Sequence, residues 1–267
     1  MVEPIESLDD PRLDDYRNVS DPELLARGDI FMAEGRLVVA RLLQQTRIPV
    51  RSLLLTSTAR AALQPIVQAR PDVPLFEVSQ TVMNAITGFN IHRGCLAVGV
   101  RPDPVDATAL AESARRLVVV ERIANADNVG SIFRNAAALD GDGIVLDHAS
   151  TDPLYRKALR TSMGAALRVP YARVRDLDAT LTDLKARGWT LLALTPSPDA
   201  PPLGAVVPAL QGRVAVLAGH EGEGLLPATM ALCTARARIP MTSGVDSLNV
   251  AAATAIALYE LQRADHG

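Results

Sequence analysis

The sequence is poor in cysteine, in aromatic residues and in long apolar runs, and each shortage removes a class of protein. Only Cys95 and Cys233 occur in 267 residues, too few for a disulfide framework or a four-ligand zinc site, and neither has a Cys or His at ligand spacing. No metal is expected, and both thiols read as small buried hydrophobes. The longest apolar runs, 117–120 and 214–218, fall far short of the roughly 20 residues that a membrane span needs. The opening Met-Val-Glu-Pro is neither a basic leader nor the start of a secretory signal, so a cytoplasmic location without membrane contact is expected. Aromatic residues amount to 3%, too few to build extended stacking platforms for unpaired bases.

What is present suits two compact units, because a hydrophobic fraction of 48% can fill one or two cores in a chain of this length. The net charge of -3 hides an uneven distribution. Residues 1–23 carry eight acids against Arg12 and Arg17, whereas residues 24–101 carry nine arginines against four acids. The first stretch, with Pro4 and Pro11 and little periodicity, reads as an acidic tail over residues 1–22. The second suits a phosphate-facing module, and a solvated helix surface is the competing reading. Within it, 31–43 has apolar residues at three- and four-residue intervals and predicts a helix ending near Gln44; strands are predicted at 50–55, 74–78 and 94–100, with a helix at 60–69.

Arg101-Pro-Asp-Pro-Val-Asp-Ala-Thr interrupts any periodic element and predicts a linker over 105–116. Beyond it, strands predicted at 117–122, 143–146, 190–194, 214–218 and 236–240 alternate with helices near 128–139, 155–160, 177–187, 227 and 248–262. That alternation predicts a parallel sheet with helices on both faces. The junction after the first of these strands, Ile-Ala-Asn-Ala-Asp-Asn-Val-Gly at 123–130, lacks the glycine fingerprint of a dinucleotide fold. Polar, glycine-bearing loops occur instead after the late strands, at 218–224 and 239–249, where ligands of open parallel sheets sit.

Three segments then fall in order: Asn128-Val-Gly-Ser-Ile-Phe-Arg134, Gly219-His-Glu-Gly-Glu-Gly224, and Ile239-Pro-Met followed after five residues by Ser247-Leu-Asn-Val250. Together they resemble the three signature motifs of the SpoU (TrmH) branch of the SPOUT RNA 2′-O-methyltransferases, over residues 115–264. Residues 160–170, with Ser162 and Gly164, resemble the family's connecting segment. Residues 31–101 resemble more loosely, best at Glu34-Gly-Arg36, the L30e-like RNA-binding domain of many members. The resemblance implies an α/β fold: a knotted (deep trefoil) SPOUT domain with a mostly parallel sheet over 117–267, preceded by a smaller L30e-like domain over 23–104.

It further implies S-adenosylmethionine as methyl donor, an RNA substrate, methylation of a ribose 2′-hydroxyl in ribosomal or transfer RNA, and a homodimer through the last helix. Thr195, Leu217, Gly219, Ile239, Met241, Ser247, Leu248 and Asn249 would line the donor site. Arg134, Asn128, Glu221, Ser247 and Asn249 would form the catalytic group, with Glu221 pairing with Arg134. A free guanidinium loses its proton only above about pH 12, so Arg134 suits phosphate holding and alkoxide stabilisation better than a base's role. Taken singly, Asn128 and Ser247 read equally well as helix caps and Arg134 as a surface charge. Arg36, Arg41 and Arg93, with Arg156, Lys157 and Arg160, are the candidate RNA contacts; Arg168, Arg173 and Arg175 extend the second cluster. His220 stands where the family commonly has a small residue, and is either a donor contact, a group titrating near neutrality or a partly exposed bystander. An RNA-binding protein with a vestigial donor pocket and a base methyltransferase of the same fold are the alternatives.

Overall fold

A computed structural model describes residues 2–5, 7–17, 28–88, 91 and 94–266. The chain divides into two compact units, Met1–Asp103 with Leu154–Arg168 and Pro104–Pro153 with Val169–Gly267. Arg93, one of the candidate RNA contacts, lies outside the described residues.

The first unit is built on five strands, β1 (Val2–Pro4), β2 (Ile30–Glu34), β3 (Val50–Leu55), β4 (Leu75–Glu77) and β5 (Cys95–Val100). Their order in the sheet is β1-β4-β3-β5-β2; β1, β4 and β3 pair in parallel, and β5 runs antiparallel to both its neighbours. The segment expected as an acidic tail is instead part of this core. Val2–Pro4 adds an edge strand, and Ile5, Leu13 and Tyr16 are buried among Met32, Leu54, Met83 and Val98. The Tyr16 hydroxyl meets Ser52 Oγ at 2.7 Å, which satisfies both buried polar atoms. A scattered apolar pattern was too short to reveal this.

The helix expected over 31–43 also divides. Ile30–Glu34 is strand β2, Gly35 turns the chain at φ 91°, and the helix is Arg36–Gln44. Only glycine adopts that backbone region at little cost, and Gly35 N donates to Cys95 O at 3.0 Å. The helix Gln80–Thr87, which was not expected, carries its signals at both ends: the Ser79 side chain accepts from Val82 N, and Gly88 closes it in the left-handed conformation. Helix Arg156–Thr161 packs with this unit as well, against β2.

The second unit holds six strands, all parallel: β6 (Arg116–Val120), β7 (Gly143–Asp147), β8 (Tyr171–Val174), β9 (Thr190–Leu194), β10 (Val214–Ala218) and β11 (Ala235–Ala237). They are ordered β11-β9-β10-β6-β7-β8. Successive side chains of a strand point to opposite faces, and β10 shows why its run is continuously apolar. Ala215 and Leu217 pack with Leu110, Leu181 and Trp189 on one face, while Val214 and Val216 pack with Leu203, Ala257 and Leu261 on the other. Helices on both faces of a mostly parallel sheet agree with the expectation.

Three elements differ from it. The presumed linker contains helix Ala107–Ser113, whose first turn is capped by the Asp106 side chain and whose Leu110 is buried against the sheet. Its partner position is Gly143, where a Cβ would stand 2.6 Å from Leu110 Cδ1. Strand β8 was not anticipated, and β11 ends at Ala237, before Pro240. Cys95 is fully buried, and its thiol is pushed up to about 12 by desolvation. Cys233 is half-buried and donates to Thr229 O at 3.3 Å, with its thiol pushed up to about 11 by burial. Neither is a reactive thiolate. Among the described residues, no helix is long and apolar enough to cross a membrane.

Candidate active site

The carboxyl ends of β9, β10 and β11 open on one side of a cavity of about 360 Å³ in the second unit. Its apolar surface comes from Leu194, Ile239, Met241 and Leu248, and its polar edge from Thr195, Gly219, Glu221, Asp246 and Ser247. Six of the residues expected around the donor, Thr195, Gly219, Ile239, Met241, Ser247 and Leu248, line it. Leu217 does not: it sits one residue inside β10 and is buried toward the sheet face carrying Leu181 and Trp189. Asn249 is not in the lining either, because its side chain is committed elsewhere.

The loop after β10 is unusually tight. A Cβ on Gly219 would lie 2.3 Å from Gly224 C and from Leu225 N, so only a hydrogen fits. Gly224 N donates to His220 O at 2.8 Å, and the His220 Nδ1 accepts from Gly222 N at 3.1 Å and from Glu223 N at 3.2 Å. The loop's far end is held by Glu121, which is 3% exposed: its carboxylate accepts from Leu226 N at 2.7 Å and from Thr229 Oγ1 at 2.5 Å. Arg122 beside it has φ 57° and pairs with Glu223 at 2.8 Å, which holds the Glu223 carboxyl below its ordinary range. The buried Asp147 carboxylate fixes that strained backbone by accepting from Arg122 N at 3.0 Å.

Against this loop runs a chain of side-chain hydrogen bonds. Asn249 Nδ2 donates to Asn128 Oδ1 at 2.8 Å, and Asn128 Nδ2 donates to Glu221 Oε1 at 2.6 Å. Both amides are thereby fixed in orientation, and Asn128 is 7% exposed. Neither Asn128 nor Ser247 is a helix cap. Asn125 caps helix Ala126–Ala138 by accepting from Asp127 N, and Asn249 caps helix Val250–His266 by accepting from Ala251 N at 2.9 Å.

The expected pairing of Glu221 with Arg134 is not formed. Six helical residues turn the chain through about 600°, so Arg134 leaves the helix on a different side from Asn128. Asn135, seven residues on, keeps that side and donates to Ala251 O at 2.7 Å. Arg134 is exposed and makes no hydrogen bond or ion pair among the described residues. Glu121, Arg122 and Asp147 were missed by sequence reasoning; an acid or base at a strand end carries no distinctive spacing.

In the first unit the candidate RNA contacts are partly committed. Arg41 Nη1 donates to Met163 O, Arg156 lies 3.6 Å and Arg160 4.0 Å from Glu34 carboxylate oxygens, and Arg36 is half-buried. Lys157 is exposed. Arg173 of the second unit pairs with the buried Asp152 at 3.2 Å and donates to His148 O and Ser150 O, so it serves packing rather than a phosphate track.

Comparisons with known proteins agree with this geometry. The model of the SpoU rRNA methylase family matches residues 115–259. A protein of Mycobacterium tuberculosis named as an uncharacterized tRNA/rRNA methyltransferase is 43% identical over 264 residues, 97% of this chain and 91% of that protein. The crystal structure of an AdoMet-bound rRNA methyltransferase from Sinorhizobium meliloti superposes with a TM-score of 0.80 at 26% identity, covering 98% of each chain. That of the SpoU methyltransferase AviRb from Streptomyces viridochromogenes, with AdoMet, gives 0.78 at 22% identity over 96% of this chain and 99% of that one. The chain belongs to the SpoU rRNA methylase family and is an RNA methyltransferase.

Proposed function

We propose that this chain transfers a methyl group from S-adenosylmethionine to a ribose 2′-hydroxyl of a structured RNA, ribosomal RNA first, in the cytoplasm. The observation that carries the reading is one cavity with an apolar floor and a fixed chain of Asn249, Asn128 and Glu221 at its edge. Its volume suits a nucleoside-sized ligand. The residues fit the donor: Leu194, Ile239, Met241 and Leu248 offer an apolar bed for adenine, and the glycine loop brings main-chain groups close.

The donor supplies an electrophilic methyl on sulfur. Transfer would leave the donor as a neutral thioether and release the hydroxyl proton to water, so the work left to this chain's residues is alignment and charge stabilisation. Asn128, locked between Glu221 and Asn249, orients the ribose. The guanidinium of Arg134, without a partner among the described residues, holds an RNA phosphate and stabilises developing negative charge on oxygen. The first unit is the L30e-like RNA-binding domain and the second the knotted SPOUT domain. The exposed Lys157 and Arg160 contact RNA backbone. Ile256 and Tyr259, one turn apart and exposed on the last helix, form the centre of a homodimer contact, while Ala257, Leu258 and Leu261 are buried in their own unit. A monomeric mass in solution would overturn the dimer.

Calorimetry with S-adenosylmethionine, followed by mapping of 2′-O-methyl sites in rRNA and tRNA incubated with the protein and donor, tests the function. Micromolar donor binding and new 2′-O-methyl sites are expected. No affinity at millimolar donor would end the reading, and methylation confined to bases would move it to a base methyltransferase.

A further inference from the structure

We propose that His220 is a positioning residue of the donor loop, whose unprotonated Nδ1 holds the turn that carries Glu221 to Asn128 and shapes the cavity wall. This inference rests on that cavity being the donor site.

Backbone N–H groups can only donate. Two of them, from Gly222 and Glu223, converge on His220 Nδ1 at 3.1 and 3.2 Å. A nitrogen receiving both must present its lone pair, so the ring is neutral and its proton sits on Nε2. An imidazolium has no acceptor, and it would set N–H against N–H at the centre of the turn.

The turn leaves little room to absorb that conflict. Three residues separate His220 from Gly224, and the two are joined by the Gly224 N to His220 O bond of 2.8 Å. Glu221 departs to Asn128 at 2.6 Å and Glu223 to Arg122 at 2.8 Å, so one displacement of the turn disturbs both. Gly219 on the other side of His220 already sits so close to the backbone of Gly224 and Leu225 that a Cβ would not fit there. The charged groups around the ring are Glu221 and Glu223 on its own loop, Arg122 at the end of β6 through Glu223, and Asp246 across the cavity. Placing a proton on Nδ1 therefore removes both hydrogen bonds and weakens donor binding.

The test compares donor affinity of wild type, His220→Asn and His220→Ala at pH 8 and pH 5.5 by calorimetry, with nitrogen-15 NMR of the imidazole in the donor-free protein. Two lost hydrogen bonds of about 1 kcal/mol each correspond to roughly a 10- to 30-fold loss of affinity. Wild type should lose that much between pH 8 and 5.5. His220→Asn, whose Oδ1 replaces Nδ1 and does not titrate, should bind like wild type at pH 8 and change far less on acidification, the donor's own titration being common to all three. His220→Ala should be weak at both pH values. The spectrum at pH 8 should show the proton on Nε2. A wild-type affinity unchanged with pH, an Asn variant as pH-sensitive as wild type, or a proton on Nδ1 overturns this inference alone. Failure of wild type to bind donor at any pH overturns the proposed function and this inference with it.

Discussion

In the first unit Arg12 sits against Glu3 and Asp10, Arg51 between Asp15 and Asp29, Arg60 against Glu77 and Arg70 against Asp72. In the second unit Arg134, exposed on helix Ala126–Ala138, has no such partner among the described residues, while Asn128, Glu221 and Asn249 are bonded to one another. Counting charges along the sequence made the first region basic and its leading segment separately acidic. In the folded unit Asp15 meets Arg51, Glu77 meets Arg60 and Asp72 meets Arg70, so part of the apparent positive field is cancelled locally, while Glu3 and Asp10 meet Arg12 of their own segment. A cation proposed to meet RNA phosphate differs here from the paired ones by having no resident counter-ion among the described residues.

The largest expected effect breaks the comparison at Arg134. Arg134→Ala should lower kcat on RNA by about 10² to 10³, the usual cost of one electrostatic donor in a transition state, with calorimetric donor affinity within about twofold, since Arg134 does not line the cavity. Near-normal turnover would reduce Arg134 to a surface charge. Gly219→Ala comes next. Its methyl would enter the backbone of Gly224 and Leu225, and overpacking of about 1–3 kcal/mol should appear as roughly 10- to 100-fold weaker donor binding by calorimetry. Tyr16→Phe leaves Ser52 without its buried partner and should cost about 1 kcal/mol in chemical denaturation; no change would place residues 2–16 outside the cooperative unit. The smallest effect concerns the exposed ion pairs. Hydrogen bonds from Arg12 hold the Asp10 carboxyl at about 2. Its contribution is complete above the ordinary carboxylate range and is lost as pH falls through about 2, so thermal melts should not move between pH 6 and 8 on its account.

Much of the second unit was legible because β6, β7 and β10 are buried on both faces and read as unbroken apolar runs between turn residues. The first unit was harder. Its β1 has three residues, its β2 merged with the following helix into one apolar stretch, and Leu13 and Tyr16 gave no periodic signal. Motif spacing singled out Gly219, Glu221, Asn128, Ser247 and Asn249, but it could not say that Asn249 would bond Asn128 or that Glu221 would turn to Asn128 instead of Arg134. That depends on helical phase and on a loop whose shape is set by His220, Glu121 and Arg122, none of which belongs to a recognisable pattern of its own.

The cavity draws its walls from Thr195, the glycine turn, Ile239 and Ala253 on the final helix, while Asn128 arrives from much earlier in the chain. Contacts this distant in sequence form late and slowly. During synthesis, the opening strands are complete long before their pocket exists, and a ribosome-bound fragment ending before residue 250 lacks both Val250 and Ala253. The cavity therefore cannot be complete until that part of the chain has been made.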